Sequence, residues 1–197
     1  MPNWCSNVVT FTHDDPEMIA RVVKGYATGL MTEFFPCPEE LRNTVAGSHS
    51  DPDEQAALTA QVEANLEKHG YANWYDWQTD NWGTKWDISG SDNGDAAVSD
   101  DGKSVQFSFD SAWSPPITFY HKMVGELGFG VDAFYYEPGM SFCGRFADGV
   151  DDYYEITGNS TWVDENIPEE INTAFGIASS MCDWEDEDEE GVMQDEE

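Results

Sequence analysis

From Asn7 to Thr12 the chain runs Asn-Val-Val-Thr-Phe-Thr, a β-branched and aromatic stretch that predicts a first strand. Asp14 or Asp15 then precedes Pro16, a helix start with proline in the first turn. Met18, Ile19, Val22 and Val23 form the apolar stripe of that helix, and Gly25 and Gly29 close the region. Phe34 to Pro38 reads as a short extended segment, and 43–53 as a loop. A helix is predicted from Asp53 to His69, ending at Gly70, and a shorter one over Trp74–Trp82 stops before Gly83. Lys85 to Ser89 alternates and predicts a strand. Val105, Phe107 and Phe109 share one face of another strand after the Asp101-Gly102 turn. Trp113-Ser114-Pro115-Pro116 breaks that strand and starts a helix carrying Ile117, Phe119, Tyr120, Met123, Val124 and Leu127 up to Gly128. Val131 to Tyr136 follows as a strand. Phe142–Phe146 and Tyr153–Thr157 predict a strand pair turning near Asp148-Gly149, and 165–181 a final helix.

Set aside the helices between about 38 and 82 as an insertion, and the order is βαββαβ. That is the ferredoxin-like split βαβ, an α+β fold with two helices on one sheet face. Extra strands and a helix extend it at the C-terminal end. One domain over 1–182 is expected, followed by an acidic tail at 183–197 whose composition predicts disorder. The second sheet face needs a cover, either the extra segments or a partner, a second copy of the chain included.

Charge changes the picture most. The 197 residues hold 40 Asp and Glu against 8 Lys and Arg, a net −32. Ten acids and no base lie in 183–197, which leaves −22 on 1–182. Phosphate contacts need cations in number, so direct nucleic-acid binding is not expected, and neither is binding to an anionic membrane. With 40% hydrophobic and 14% aromatic residues, the chain nevertheless has the means to fold. Met1 to Cys5 lacks the basic and apolar regions of a signal peptide, and no apolar run approaches the ~18 residues of a membrane span. Cys5, Cys37, Cys143 and Cys182 contain no CxxC pair and read as reduced thiols of a cytoplasm.

Four motifs carry a resemblance. They are Met1-Pro2-Asn3-Trp4-Cys5-Ser6-Asn7; Asn73-Trp74-Tyr75-Asp76-Trp77 with Asn81-Trp82-Gly83-Thr84-Lys85-Trp86-Asp87; Phe109-Asp110-Ser111-Ala112-Trp113-Ser114-Pro115-Pro116; and Tyr135-Tyr136-Glu137-Pro138-Gly139-Met140 through Gly144. Over about residues 1–160 they resemble the YubB-like family, small ferredoxin-like proteins of plasmids, phages and genomic islands. The resemblance implies a cytoplasmic accessory protein of a mobile element in a bacterial host. It implies no activity and brings no catalytic residues.

The chemistry-bearing residues have plain alternatives. Trp74, Trp77, Trp82, Trp86 and Trp113 are read mainly as core, with a base-stacking platform as the functional reading. Lys85 is the one cation inside a motif, placed to pair with Asp87 or Glu137 or to stack on a ring. Ser114 is placed to cap the helix after it and has no nucleophile motif around it. A metal site would require Cys5, Cys37 and Cys143 to converge with a histidine, which their spacing does not suggest. Asp92-Asn93-Gly94-Asp95 lacks the ligand spacing of a calcium loop. No cofactor is expected.

The expected function is therefore non-enzymatic. A phage- or plasmid-encoded acidic protein would bind a host protein through that protein's basic, nucleic-acid-binding surface, and would imitate DNA to inhibit a defence complex. The tail residues Asp183, Trp184, Glu185, Asp186, Glu187, Asp188, Glu189 and Glu190 are candidate contacts. A folded chain of 22.1 kDa exposes roughly 9,000 Å². Evenly spread charge is then about one per 290 Å², against about one per 110 Å² on a duplex. Mimicry thus requires the acids to gather on one side. Two other readings are a single-strand-binding sheet face, which needs a local basic patch, and a metal-dependent enzyme.

Overall fold

The computed structural model describes residues 3–90 and 95–183. Its centre is β1 (Trp4–Thr12), which runs antiparallel to β3 (Ser104–Ala112) on one side and to β4 (Gly130–Glu137) on the other. β5 (Phe142–Ala147) and β6 (Val150–Glu155) continue the sheet beyond β4, and β2 (Ala97–Val98) edges β3. The order is β2-β3-β1-β4-β5-β6, all antiparallel. β3 and β4 are joined by α6 (Ile117–Leu127), and β1 fills the slot between them.

Strand parity sets the two faces. Cys5, Asn7, Val9 and Phe11 are buried, and each pairs with a buried residue of β3: Ser111, Phe109, Phe107 and Val105. On this inner face lie α1 (Pro16–Thr28) through Ile19, Val22 and Tyr26, and α6 through Phe119, Tyr120 and Met123. Phe11 meets Phe107, Phe119, Tyr120 and Phe129 at ring centroids 5.9–6.5 Å apart, the spacing of favourable offset and edge contacts. The inserted helices α2 (Leu30–Phe34), α3 (Glu39–Arg42), α4 (Pro52–His69) and α5 (Trp74–Trp82) extend this core with Leu30, Met31, Leu41 and Trp82.

Helix ends follow the sequence closely. Asp15, Asp51 and Asn73 cap α1, α4 and α5 with side-chain oxygens on early amides. Gly70, Gly83 and Gly128 end α4, α5 and α6 in the left-handed conformation.

Three expectations need correction. Lys85–Ser89 is not a strand: Asp87 accepts hydrogen bonds from Met31 N, Thr32 N and Ile88 N, so the segment caps α2. The strand beside β3 is instead the two-residue β2. Phe34 ends a helix and does not begin an extended segment. The helix predicted over 165–181 is broken into α7 (Ser160–Asn166), α8 (Glu169–Phe175) and a helical stretch from 177 to 183. Pro168 and the left-handed Gly176 make those breaks.

The outer face is half covered. Ile156, Val163, Ile167, Ile171, Ile177 and Ala178 pack on Cys143, Phe134 and Tyr136, so α7 and α8 roof β4 and β5. Over β1 and β3 no such cluster forms among the described residues, and Gln106, Ser108 and Asp110 are exposed.

Trp82 is 1% exposed, stacks edge-on against Trp77 at 5.6 Å and donates its indole N–H to Phe35 O at 2.9 Å. Trp82→Ala is expected to lower unfolding stability by about 3–5 kcal/mol. Urea titration at unchanged slope is the check, and a loss below about 1 kcal/mol would contradict the packing described.

Candidate functional site

Tryptophan burial divides the predicted aromatic set. Trp82 is core, and Trp74 and Trp77 pack against it half-buried. Trp86 and Trp113 are not core: they stay 39% and 48% exposed. Trp4 joins them at 46% exposed. Pattern reading missed Trp4 because it began the strand at Asn7. Extending the alternation back three residues puts Trp4 on the outer face, opposite in parity to buried Cys5 and Asn7.

The three exposed tryptophans belong to one corner of the sheet. Trp4 pairs with Ala112, and Trp113 N–H donates to Asn3 O at 3.0 Å. Trp86 is brought there by its neighbours. Thr84 Oγ1 donates to Ala112 O at 3.0 Å, Ile88 is buried, and Asp87 is locked onto α2. The Trp4 and Trp86 ring centroids then lie 5.9 Å apart at 43°. A cavity of about 260 Å³ opens beside them, lined also by Asp87, Ser89, Asp110 and Ala112. Asp110 Oδ1 accepts from Ser6 Oγ at 2.9 Å. Lys85 makes neither of its predicted ion pairs. Its ammonium lies 4.6 Å from the Trp86 ring centroid and 5.8 Å from that of Tyr75, and it does not line the cavity.

Trp113 holds φ at +72°, a left-handed backbone that costs a bulky residue of the order of 1–2 kcal/mol. Ser114 does not cap α6. Its hydroxyl donates to Gly83 O at 2.7 Å, while Ser111 Oγ donates to Ser114 O at 2.8 Å. The cap position falls to Pro116, which has no side-chain acceptor.

The uncovered positions of β1 and β3, namely Ser6, Val8, Thr10, Gln106, Ser108 and Asp110, include no Lys or Arg. They offer no cation to pair with a phosphate. Five of the eight cations are tied to the protein's own carboxylates: Arg21 and Lys24 to Glu33, Lys68 to Glu40, Lys103 to Asp14, and Arg145 to Asp132 and Glu170.

Carboxylates are distributed unevenly. Residues 146–183, which include β6, α7 and α8, carry nine Asp or Glu and no Lys, Arg or His. This asymmetry is visible in the sequence, where Arg145 is the last base. Asp183 is exposed, whereas 184–190 of the predicted tail contacts lie outside the described residues. So does most of the Asp92–Asp95 stretch.

The thiols do not converge. Cys5, Cys37 and Cys143 sit in three separate apolar clusters. Desolvation raises Cys37 and Cys143 to about 11 and Cys5 further still, so all three are protonated at neutral pH. Among the described residues no group of three His, Cys, Asp or Glu is arranged to hold a metal ion. Burial raises the Asp151 carboxyl, which accepts from Tyr135 Oη at 2.7 Å. Neither residue lines the cavity beside Trp4.

The fold so defined is α+β, with a six-stranded antiparallel sheet and helices on both faces. No family model and no curated protein matches the chain. Among solved structures, the crystal structure of protein api92 from Yersinia pseudotuberculosis, of family DUF1281, is similar at 11% identity and a TM-score of 0.43, covering 81% of this chain and 99% of that one. Likeness at that level establishes neither family nor function, so the YubB-like resemblance rests on the sequence motifs. No helix among the described residues is long and apolar enough to cross a membrane.

Two outcomes follow from the geometry. A thiol reagent at neutral pH is expected to modify exposed Cys182 rapidly and Cys5, Cys37 and Cys143 only on unfolding; more than one fast thiol in the native protein contradicts this. Trp113→Gly is expected to cost less than about 1 kcal/mol in urea, because relief of the left-handed backbone offsets the lost contacts of a half-exposed ring. A loss near that of Trp82→Ala would show the ring to be buried.

Proposed function

We propose that this protein is a non-enzymatic binding protein that docks on a basic surface of another protein. The observation that carries the reading is the unbalanced carboxylate charge: net −32, with most cations neutralised internally and none in 146–183. A surface of this kind gains from partners whose Lys and Arg normally hold phosphates, and steers their encounter. The core is read as ferredoxin-like, a reading supported by the order β2-β3-β1-β4 with α1 and α6 on one face. With the motif resemblance to YubB-like proteins, the concrete form is a mobile-element protein, acting in a bacterial cytoplasm, that inhibits a nucleic-acid-acting defence complex as a DNA mimic.

Charge density limits that form. The accessible surface is 11290 Å², so the net charge averages about one per 350 Å². This is more dilute than the sequence estimate and roughly threefold below a duplex. Among the described residues, mimicry therefore belongs to the cation-free β6–α7–α8 part, which carries a local excess.

Transformation of unmodified plasmid into hosts with defined restriction systems tests this form. Co-expression of the protein is expected to raise transformation at least about tenfold in one system, and a DNA-binding subunit is expected to co-purify at about 50 mM salt and be lost by about 500 mM. Unchanged transformation in every system, with no such subunit retained at low salt, overturns it.

A further inference from the structure

We infer that the cavity beside Trp4 and Trp86 is a receptor for an arginine side chain of the basic partner. This rests on the reading of the protein as a binder of basic protein surfaces, and it assigns the part of the surface that chooses between cations. Diffuse acidic charge attracts Lys and Arg alike, because at a distance both are one positive charge. The Trp4–Trp86 corner adds two features that treat them differently.

The first is the pair of exposed indoles. Their centroids are 5.9 Å apart and their planes tilted 43°, so they touch without stacking face to face, and both stay part-exposed beside the cavity. A guanidinium is flat, delocalised and weakly hydrated, and stacks on an aromatic face. An ammonium is compact and keeps its water. The second feature is a carboxylate that lines the cavity. Asp110 uses one oxygen to accept from Ser6 at 2.9 Å and retains acceptor sites for a fork-shaped donor. Asp87 lines the same cavity, but its oxygens already accept from the Met31, Thr32 and Ile88 amides, so it contributes charge and at most one further acceptor site, on Oδ2.

Size and charge fix the class of occupant. The cavity is about 260 Å³, below the ~300–1,000 Å³ of small-molecule sites, and suits one long side chain. Among the described residues the cation at this corner is Lys85, which lies 4.6 Å from the Trp86 ring centroid yet does not line the cavity. Two carboxylates and two indoles line the cavity and, among the described residues, no cation does. A nucleobase would also stack on these rings, but the phosphates it carries would meet Asp87, Asp110 and the exposed strand positions that lack any cation.

Oligo-arginine and oligo-lysine peptides of equal length, titrated into the full chain and followed by tryptophan fluorescence and by calorimetry, test the assignment. The arginine peptide is expected to bind about three- to tenfold more tightly at physiological salt. Trp86→Ala and Asp110→Asn are each expected to bring that ratio to about one while leaving lysine-peptide affinity within about twofold. Trp86→Phe, which keeps a ring, should restore part of the preference. Urea midpoints and far-ultraviolet dichroism check that each variant is folded, and Asp110→Asn, isosteric and exposed, serves if Trp86→Ala is not. Equal affinity for the two peptides in the wild type, or a ratio unchanged in folded Trp86→Ala and Asp110→Asn, overturns the receptor but leaves the basic-partner reading standing. Binding of neither peptide at low salt overturns both.

Discussion

The rest of the structure depends on how β1 is clamped. It is antiparallel to β3 throughout and to β4 from Ser6 onward, so each residue from Ser6 to Thr12 has two fixed neighbours. A slip by one residue would turn Cys5, Asn7, Val9 and Phe11 to the outer face and drive Trp4, Ser6, Val8 and Thr10 into the core. The aromatic packing around Phe11 forbids that. The same register that closes the core thus sends Trp4 outward. The exposed corner is a consequence of core packing and not a separate feature added to it.

Polar groups inside the sheet reinforce that register. Asn7 Nδ2 donates to Cys5 O at 2.7 Å, Ser111 Oγ at 2.9 Å and Phe109 O at 3.4 Å. These bonds tie β1 to β3 at the level of the tryptophan corner, and they work only with those residues opposite each other. Next along the inner face, a Cβ on Gly144 would sit 2.2 Å from Tyr135 Oη, so a glycine there lets Tyr135 lie flat and reach Asp151. Buried polar groups must be paired to be tolerated, and here pairing selects one strand alignment. Asn7 Oδ1 remains without a protein partner.

Elements bounded by their own chemistry were legible in the sequence. Gly83 ends α5 and Gly70 ends α4 where the sequence places them, because left-handed glycines are local signals, whereas the Asp51 cap of α4 lies in a stretch that reads as loop. Lys85–Ser89 misled because its alternation is real but has another cause. Ile88 points into the core and Trp86 outward, with Asp87 holding a helix end in place of a strand ladder. Period two reports alternating burial and cannot tell which partner produces it. Trp86 and Trp113 misled for a related reason. Aromatic residues in Trp-rich motifs are usually buried, and only the tertiary path shows that two of these end at a sheet corner. The imbalance of charge needed no structure, but its placement on β6, α7 and α8 did.

Charge asymmetry also shapes how the C-terminal helices stay on the sheet. Arg145 is the last base in the chain, and it lies on β5 beneath α8. Its guanidinium meets Asp132 at 2.9 Å and Glu170 at 2.7 Å and lies 5.0 Å from the Phe134 ring centroid. Those carboxylates hold it firmly protonated, Asp132 foremost. One cation therefore joins sheet and helix while cancelling only part of the surrounding negative charge. Exposed ion pairs contribute little to stability, so the apolar seam of Val163, Ile167 and Ile171 must carry the attachment. Asp151, accepting from Tyr135, and Asp164, accepting from Asn172, also serve this part of the fold. Along β6, an edge strand, the carboxylates also discourage pairing with another sheet. A surface that repels sheet edges yet attracts basic groups is selective by charge before any contact is made. The tryptophan corner, on the same outer face over β1 and β3, adds shape to that selection.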